Sequence, residues 1–249
     1  MSTQASVLEF LDAECNRLAN PTHAEQMERY FKHIHPFYGI KSPALRSMIK
    51  IVQSQYKTEW TAESLLETSE ELLSASYGEK KLLGVYLLGV PSNLKIIQRE
   101  PHVIETVGTF IDNHVQDWAT CDGLSSQVVR KLITSNPNVY TTKVQAWCRS
   151  SNDWKQRASC VSFICLARHG EYNDVIIDIV TNVIQNRFRF VQLGAGWVLR
   201  ELSLADEAEV VSFIKSHYNE FTREGLRYAI EKMKKPLQIQ LLNYGKDKE

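Results

Sequence analysis

The segment SVLEFLDAECNRLA, residues 6–19, decides the fold class. Its apolar residues Val7, Leu8, Leu11, Cys15 and Leu18 step by one, three, four and three, which places them on one face of a helix; a strand would alternate. The same stripe recurs in PALRSMIKIV (43–52), ESLLETSEELL (63–73), KKLLGVYLLGV (80–90), DVIIDIVTNVI (174–184) and EVVSFIKSHY (209–218). Between the stripes stand Pro36, Gly39, Pro91, Pro101, Pro137 and Pro236, residues that break helices. Ser42 ahead of Pro43, and Thr61, Asp206 and Thr222, read as helix caps. No strand-and-hairpin pattern is present in the sequence.

Short, numerous helices predict repeated helix–turn–helix units. The expected fold is all-α, a right-handed or curved α-solenoid of HEAT-like helix pairs, forming a single domain over residues 1–249. A faint internal echo agrees: Asp117-Trp118 returns as Asp153-Trp154, and Trp197 follows, at spacings near the HEAT period of about 40–47 residues.

The 249 residues, 43% hydrophobic and 23% charged, suffice for a substantial core. No run approaches the roughly 20 apolar residues of a membrane span, and the start lacks a signal-peptide pattern. A cytoplasmic protein is expected, nucleoid-associated if bacterial. The five cysteines show no zinc or CxxC spacing and read as small core residues in a reducing compartment. His33 and His35 form the only close histidine pair, with no ligand partner near in sequence, so no metal is expected. Walker, GxGxxG and GxSxG motifs are missing, which disfavours phosphate-cradling enzymes and serine hydrolases.

Net charge is zero, but residues 1–124 hold 11 Lys+Arg against 16 Asp+Glu, and residues 125–249 hold 18 against 13. The halves are therefore −5 and +5, so a basic surface is permitted on a neutral chain.

Four positions could carry chemistry. Trp118 and Asp122 are four apart, so an indole and a carboxylate project from one helix face; they can stabilise a cation or orient water, and equally can be a core tryptophan and a capping aspartate. Arg157, three after Trp154, suits phosphate through its planar donors, or is simply solvated. Trp197 follows Gly194-Ala195-Gly196, where missing bulk implies close approach of a neighbouring helix or a ligand. Arg187-Phe188-Arg189-Phe190 interleaves cations with aromatics, compatible with nucleic-acid backbone contact or with a loop and buried anchors.

Together these segments resemble the AlkD-type DNA alkylation repair family, glycosylases built from HEAT-like repeats. The resemblance rests on Tyr30-Phe31-Lys32 followed by Pro36-Phe37-Tyr38-Gly39-Ile40-Lys41-Ser42-Pro43, then Trp118-x-x-x-Asp122, Trp154 to Arg157, and Gly196-Trp197-Val198-Leu199-Arg200-Glu201, over roughly residues 25–235. It implies that Asp122 is the catalytic carboxylate, that Trp118 and Trp197 wall the lesion nucleotide's sugar, and that Arg157 holds a phosphate. Lys41, Arg187, Arg189 and Arg200 are expected as further DNA contacts. Two positions depart from the family's habit: Ala119 stands where members often have a second acid, and Leu193 where they often have lysine.

The implied activity is hydrolysis of the N-glycosidic bond of cationic alkylated purines of the 3-methyladenine and 7-methylguanine type in duplex DNA. It would proceed without base flipping, without a cofactor and by a monomer. The alternatives are a non-catalytic DNA-binding protein for bent or branched DNA, or a protein–protein scaffold on the same fold.

Overall fold

The computed structural model describes residues 3–245. It divides into two compact units, Met1–Ser135 and Asn136–Glu249. Every regular element among the described residues is helical, and the fold is of the all-α solenoid class predicted from the stripes. No described helix is long and apolar enough to cross a membrane.

The first unit contains α1 (Thr3–Leu18), α2 (Pro21–Tyr30), α3 (Ser42–Tyr56), α4 (Ala62–Ser74), α5 (Gly78–Gly89), α6 (Pro91–Ile97), α7 (Val103–His114), α8 (Trp118–Leu124) and α9 (Arg130–Ser135). Residues 7, 11 and 15 of α1 are buried, as the opening stripe requires. Helix α5 differs from expectation. Its stripe predicts one apolar face, yet ten of its residues are buried, because α3, α4 and α8 all pack around it. Leu83, Val85, Leu87 and Leu88 are fully enclosed there, each contributing about 1.5–3 kcal/mol by leaving water.

Polar residues tie this core together. Lys81 is buried, and its Nζ donates to Leu73 O at 2.6 Å and His114 O at 3.0 Å, satisfying carbonyls at the ends of α4 and α7. Burial pushes the Lys81 ammonium below its ordinary pKa, against the raising charge of Asp117.

The second unit contains α10 (Pro137–Gln145), α11 (Asp153–Val161), α12 (Ile164–Ala167), α13 (Asn173–Val183), α14 (Arg189–Leu202), α15 (Glu207–Ser216), α16 (Arg223–Ala229) and α17 (Lys235–Asn243). Here α14 is central, packed by α11, α12, α13 and α16. A Cβ added to Gly196 would lie 2.6 Å from Gly225 O, so the bulk missing ahead of Trp197 admits the backbone of α16. Of the two bodies the sequence allowed there, the structure shows a neighbouring helix.

Thr61, Asp206 and Thr222 cap their helices as expected, accepting from the amides of Ser64, Glu209 and Gly225. Ser42 does not; it is already helical, and Lys41 occupies the cap position without a side-chain cap bond. The Asp-Trp echo is also out of register. Asp117 caps α8, whereas Asp153 is inside α11 and Asn152 is the cap. Four cysteines are buried as predicted, but Cys165 is exposed. Burial pushes the Cys15 and Cys160 thiols up to about 12.

Candidate functional site

Asp117 sets the position of Trp118 and Asp122. Its Oδ1 accepts from Thr120 N at 2.9 Å and its Oδ2 from Thr120 Oγ1 at 2.7 Å, so α8 starts with its cap fully engaged. Trp118 is the first residue of the helix, and Asp122 follows one turn later on the same face. Beyond Leu124 the helix widens over Ser125–Val129, with Arg130 N donating to Ser125 O five residues back. Such wide turns recur at functional sites. The Ser126 hydroxyl donates to Asp122 O at 2.7 Å, holding the junction.

The aromatic wall comes from the connection after α2. Phe31 stacks on Trp118 at 5.4 Å and 14°, and Tyr30 meets the same indole edge-on at 6.1 Å. Tyr30 is 69% exposed, so its outer face is open. The chain leaves α2 through two consecutive non-glycine residues in the left-handed region, Lys32 (φ 53°) and His33 (φ 58°). His33 N donates to Glu28 O at 2.7 Å and Lys32 N to Arg29 O at 3.1 Å, the paired 6→1 and 5→2 bonds of a Schellman ending.

The run 36–41 is then pinned from below. Glu79, fully buried on α5, accepts from three successive amides: Tyr38 N at 3.0 Å, Gly39 N at 2.8 Å and Ile40 N at 3.0 Å. Gly39 has φ 83°, and a Cβ there would lie 2.2 Å from Asn20 O. Its own carbonyl accepts from His23 Nδ1 at 2.7 Å. Three amides and a carbonyl of the loop are thereby satisfied without a helix or strand.

These elements enclose an open cavity of about 670 Å³, with Trp118, Asp122, Tyr30, Phe31, Tyr86 and Lys41 among its lining residues. Asp122 is half-buried at its edge. Lys41, exposed at the start of α3, stands on the rim. The chemistry available is one carboxylate next to electron-rich ring faces, with a cation at the mouth. It suits a transition state that gains positive charge near Asp122 and keeps a negative group outside.

The residues predicted in the second unit have partners of their own. Arg157 is 4% exposed, which corrects the reading of a solvated arginine. Its Nη1 donates to Phe190 O at 2.6 Å, and its stem packs where a Gly194 side chain would stand. Phe188 and Phe190 both pack on Trp154 at 5.3 Å. Their intervening cations are tied elsewhere: Arg189 forks onto Glu224 at 2.6 and 2.8 Å, and Arg187 donates to the carbonyls of Asn219 and Glu220. Of the two readings of this segment, anchored aromatics match the packing.

Trp197 is half-buried and lies 6.2 Å from Tyr228. Arg200 sits over both rings, 4.7 Å from Tyr228 and 5.9 Å from Trp197. It also pairs with Glu231 at 2.5 Å and Glu201 at 3.0 Å. Glu201 is buried and receives Arg168 and Lys232 as well. Burial would raise its carboxyl; the bonds from Lys232 and Arg200, with the charges of Lys232 and Arg168, outweigh this and hold it below the ordinary value.

Sequence reasoning missed Asp117, Glu79, His35 and Tyr86 as builders of the site. Asp117 did carry a signal, an aspartate three positions before a threonine at a helix start. Glu79 and His35 carried none, since their partners are distant in sequence.

The family model for DNA alkylation repair enzymes matches residues 11–233. A solved structure described as a predicted DNA alkylation repair enzyme from Enterococcus faecalis superposes with a TM-score of 0.70, at 21% identity, covering 87% of this chain and 97% of that one. At that identity the likeness speaks for the fold. None of the curated proteins compared with the chain is a match. With a match over most of its length, the chain belongs to the DNA alkylation repair enzyme family.

Proposed function

We propose that this protein is a monofunctional DNA glycosylase that releases cationic alkylated purines, of the 3-methyladenine and 7-methylguanine type, from duplex DNA. The observation that carries the reading is the pairing of Asp122 with Trp118 on the edge of an open, aromatic-walled cavity. Alkylation at N3 of adenine or N7 of guanine makes the base cationic and a good leaving group. The protein then has two tasks: to stabilise positive charge growing on the deoxyribose, and to direct water to the anomeric carbon.

Asp122 performs both, its carboxylate facing the charge and accepting a proton from the attacking water. Trp118, fixed by Phe31, presents a ring face to the same charge. The cavity is open rather than deep, which suits action on a nucleotide that is not drawn into a pocket. Trp197 is proposed as a second aromatic contact to DNA. Arg157 is proposed to act at a phosphate. Lys41, Arg187, Arg189 and Arg200 are further proposed DNA contacts, the last two exchanging protein carboxylates for phosphate. The reading involves one chain and no cofactor, acting inside the cell where DNA is.

Duplex DNA carrying 7-methylguanine, incubated with the parent and with Asp122→Asn, tests the proposal through base release above the spontaneous rate. The parent releases base, and the variant falls by at least about 100-fold. DNA binding without release from either a 7-methylguanine or a 3-methyladenine substrate overturns the enzyme and leaves a non-catalytic DNA binder.

A further inference from the structure

The cavity at Asp122 continues along α3. A second cavity of about 220 Å³ shares Tyr86 and Gln127 with the first and is lined in addition by Arg46, Ile49 and Lys50. The Arg46 guanidinium carbon lies 4.2 Å from the centroid of the Tyr86 ring. Tyr86 itself is 8% exposed, so the ring is a fixed shelf in the core of the unit.

The electrostatics of this strip are unlike those of the second unit. Helix α3, SPALRSMIKIVQSQY, contains no acidic residue, while Lys41, Arg46 and Lys50 are all exposed. Among the described residues no carboxylate lies within ion-pair distance of these three, and the Arg46 side chain makes no hydrogen bond. Arg46 and Lys50 are also a like-charge pair one helical turn apart, an arrangement that costs stability in the free protein. In the second unit, by contrast, Arg149, Arg168, Arg189, Arg200 and Lys232 are each neutralised by a carboxylate. Charge by sequence halves pointed to the second half, where Lys215 also lines a cavity without a carboxylate partner among the described residues; the unpaired cations beside the cavity that holds Asp122 are in the first.

We propose that Arg46 and Lys50 form a phosphate-binding track for duplex DNA, running along α3 from the cavity that holds Asp122, with Tyr86 holding the Arg46 guanidinium flat. The proposal rests on the DNA-directed function above and extends it to residues outside the family motifs. Stacking on Tyr86 removes rotamer freedom from Arg46 before DNA arrives, so less is lost on binding. Its donors remain available for two phosphate oxygens at once. Lys50, one turn on, meets a neighbouring phosphate as a point charge. These contacts fix the position of the duplex against the cavity and read no sequence.

Binding of a fluorescein-labelled undamaged duplex, followed by anisotropy from about 50 to 200 mM salt, tests the track. Arg46→Gln and Lys50→Gln each weaken binding about threefold to tenfold and lower the salt slope by about one. Arg46→Lys keeps the slope of the parent and binds more weakly, because charge survives and the stacked fork does not. Arg149→Gln, which removes an exposed cation already paired with Asp178, binds as the parent does. Parent-like affinity and slope in both Arg46→Gln and Lys50→Gln overturn the track and leave the glycosylase standing, since base release is measured separately. A parent with no salt-dependent DNA binding overturns both.

Discussion

His35 and Asp117, 82 positions apart, meet inside the first unit with Nε2 and Oδ2 at 3.0 Å, both side chains 3% exposed. The carboxylate accepts only, so the imidazole donates from Nε2. This bond joins the connection carrying Phe31 to the cap of the helix carrying Trp118 and Asp122. The stacked pair Phe31–Trp118 is thereby anchored from both sides.

Removing that carboxylate takes away a cap and leaves a buried imidazole N–H unpaired. Loss of an N-cap costs about 0.5–2 kcal/mol and a buried orphan donor about 1–3 kcal/mol. Asp117→Ala is therefore expected to lose about 3 kcal/mol in urea denaturation.

The same group makes stability depend on acid. Burial pushes the Asp117 carboxyl up, but the His35 bond, the Thr120 amide and hydroxyl, and the His35 charge together hold it below its ordinary value of 3.8. A depressed carboxylate gives stability that is fully present above the unfolded value and is lost as pH falls through the folded one. The stability gap between parent and Asp117→Asn should be widest near neutrality and narrow as pH drops below about 4. Urea midpoints for the two proteins across that range check it; a constant gap refutes it.

Glu79 carries the loop that positions Lys41. Glu79→Ala strips three amides of their acceptor, with an expected loss of about 3–5 kcal/mol, since each buried orphan costs about 1–3 kcal/mol and water relieves some of them. Hydrogen exchange should rise at Tyr38, Gly39 and Ile40 beyond the global change. Glu79→Gln restores protection in part, because an amide oxygen replaces only one of the two acceptor atoms.

Lys32 holds a position that helix endings normally give to glycine. The left-handed region costs a non-glycine residue roughly 1–2 kcal/mol, and glycine returns about 0.4–1 kcal/mol of that through unfolded-chain entropy. Lys32 is exposed. Lys32→Gly is expected to raise the melting temperature by about 2 °C, a net gain of about 0.5–1 kcal/mol. Calorimetry decides the sign.

Two glycines close in sequence should respond differently to alanine. At Gly196 the added carbon meets backbone, Gly225 O at 2.6 Å, and α16 must move; at Gly194 it meets the stem of Arg157 at 3.3 Å. Gly196→Ala is expected to cost about 2–3 kcal/mol, as overpacking does, and Gly194→Ala about 1 kcal/mol or less, read from denaturant midpoints. Equal effects would remove the distinction between rigid and yielding neighbours.

What the sequence determined by itself is local. The stripe of Val7, Leu11 and Cys15 declares a helix because burying one face needs only a period of 3.6 residues. Thr61, Asp206 and Thr222 declare helix starts because a cap bonds an amide three residues on. The four-residue spacing of Trp118 and Asp122 placed them on one face for the same reason. Ser42 misled because Pro43 is tolerated at the second helical position as well as the first.

The tertiary structure decided everything that depends on a distant partner. Nothing in HIHPFYGIK shows that Glu79 will hold its amides or that His35 will reach Asp117, since hydrogen bonds across some 40 or 82 positions leave no period in the chain. Whether a cation is free is likewise invisible in sequence: Arg46 and Arg189 read alike, and only packing gave one a tyrosine ring and the other a carboxylate. Helical period is a property of neighbours along the chain, whereas the charge a site presents is a property of neighbours in space.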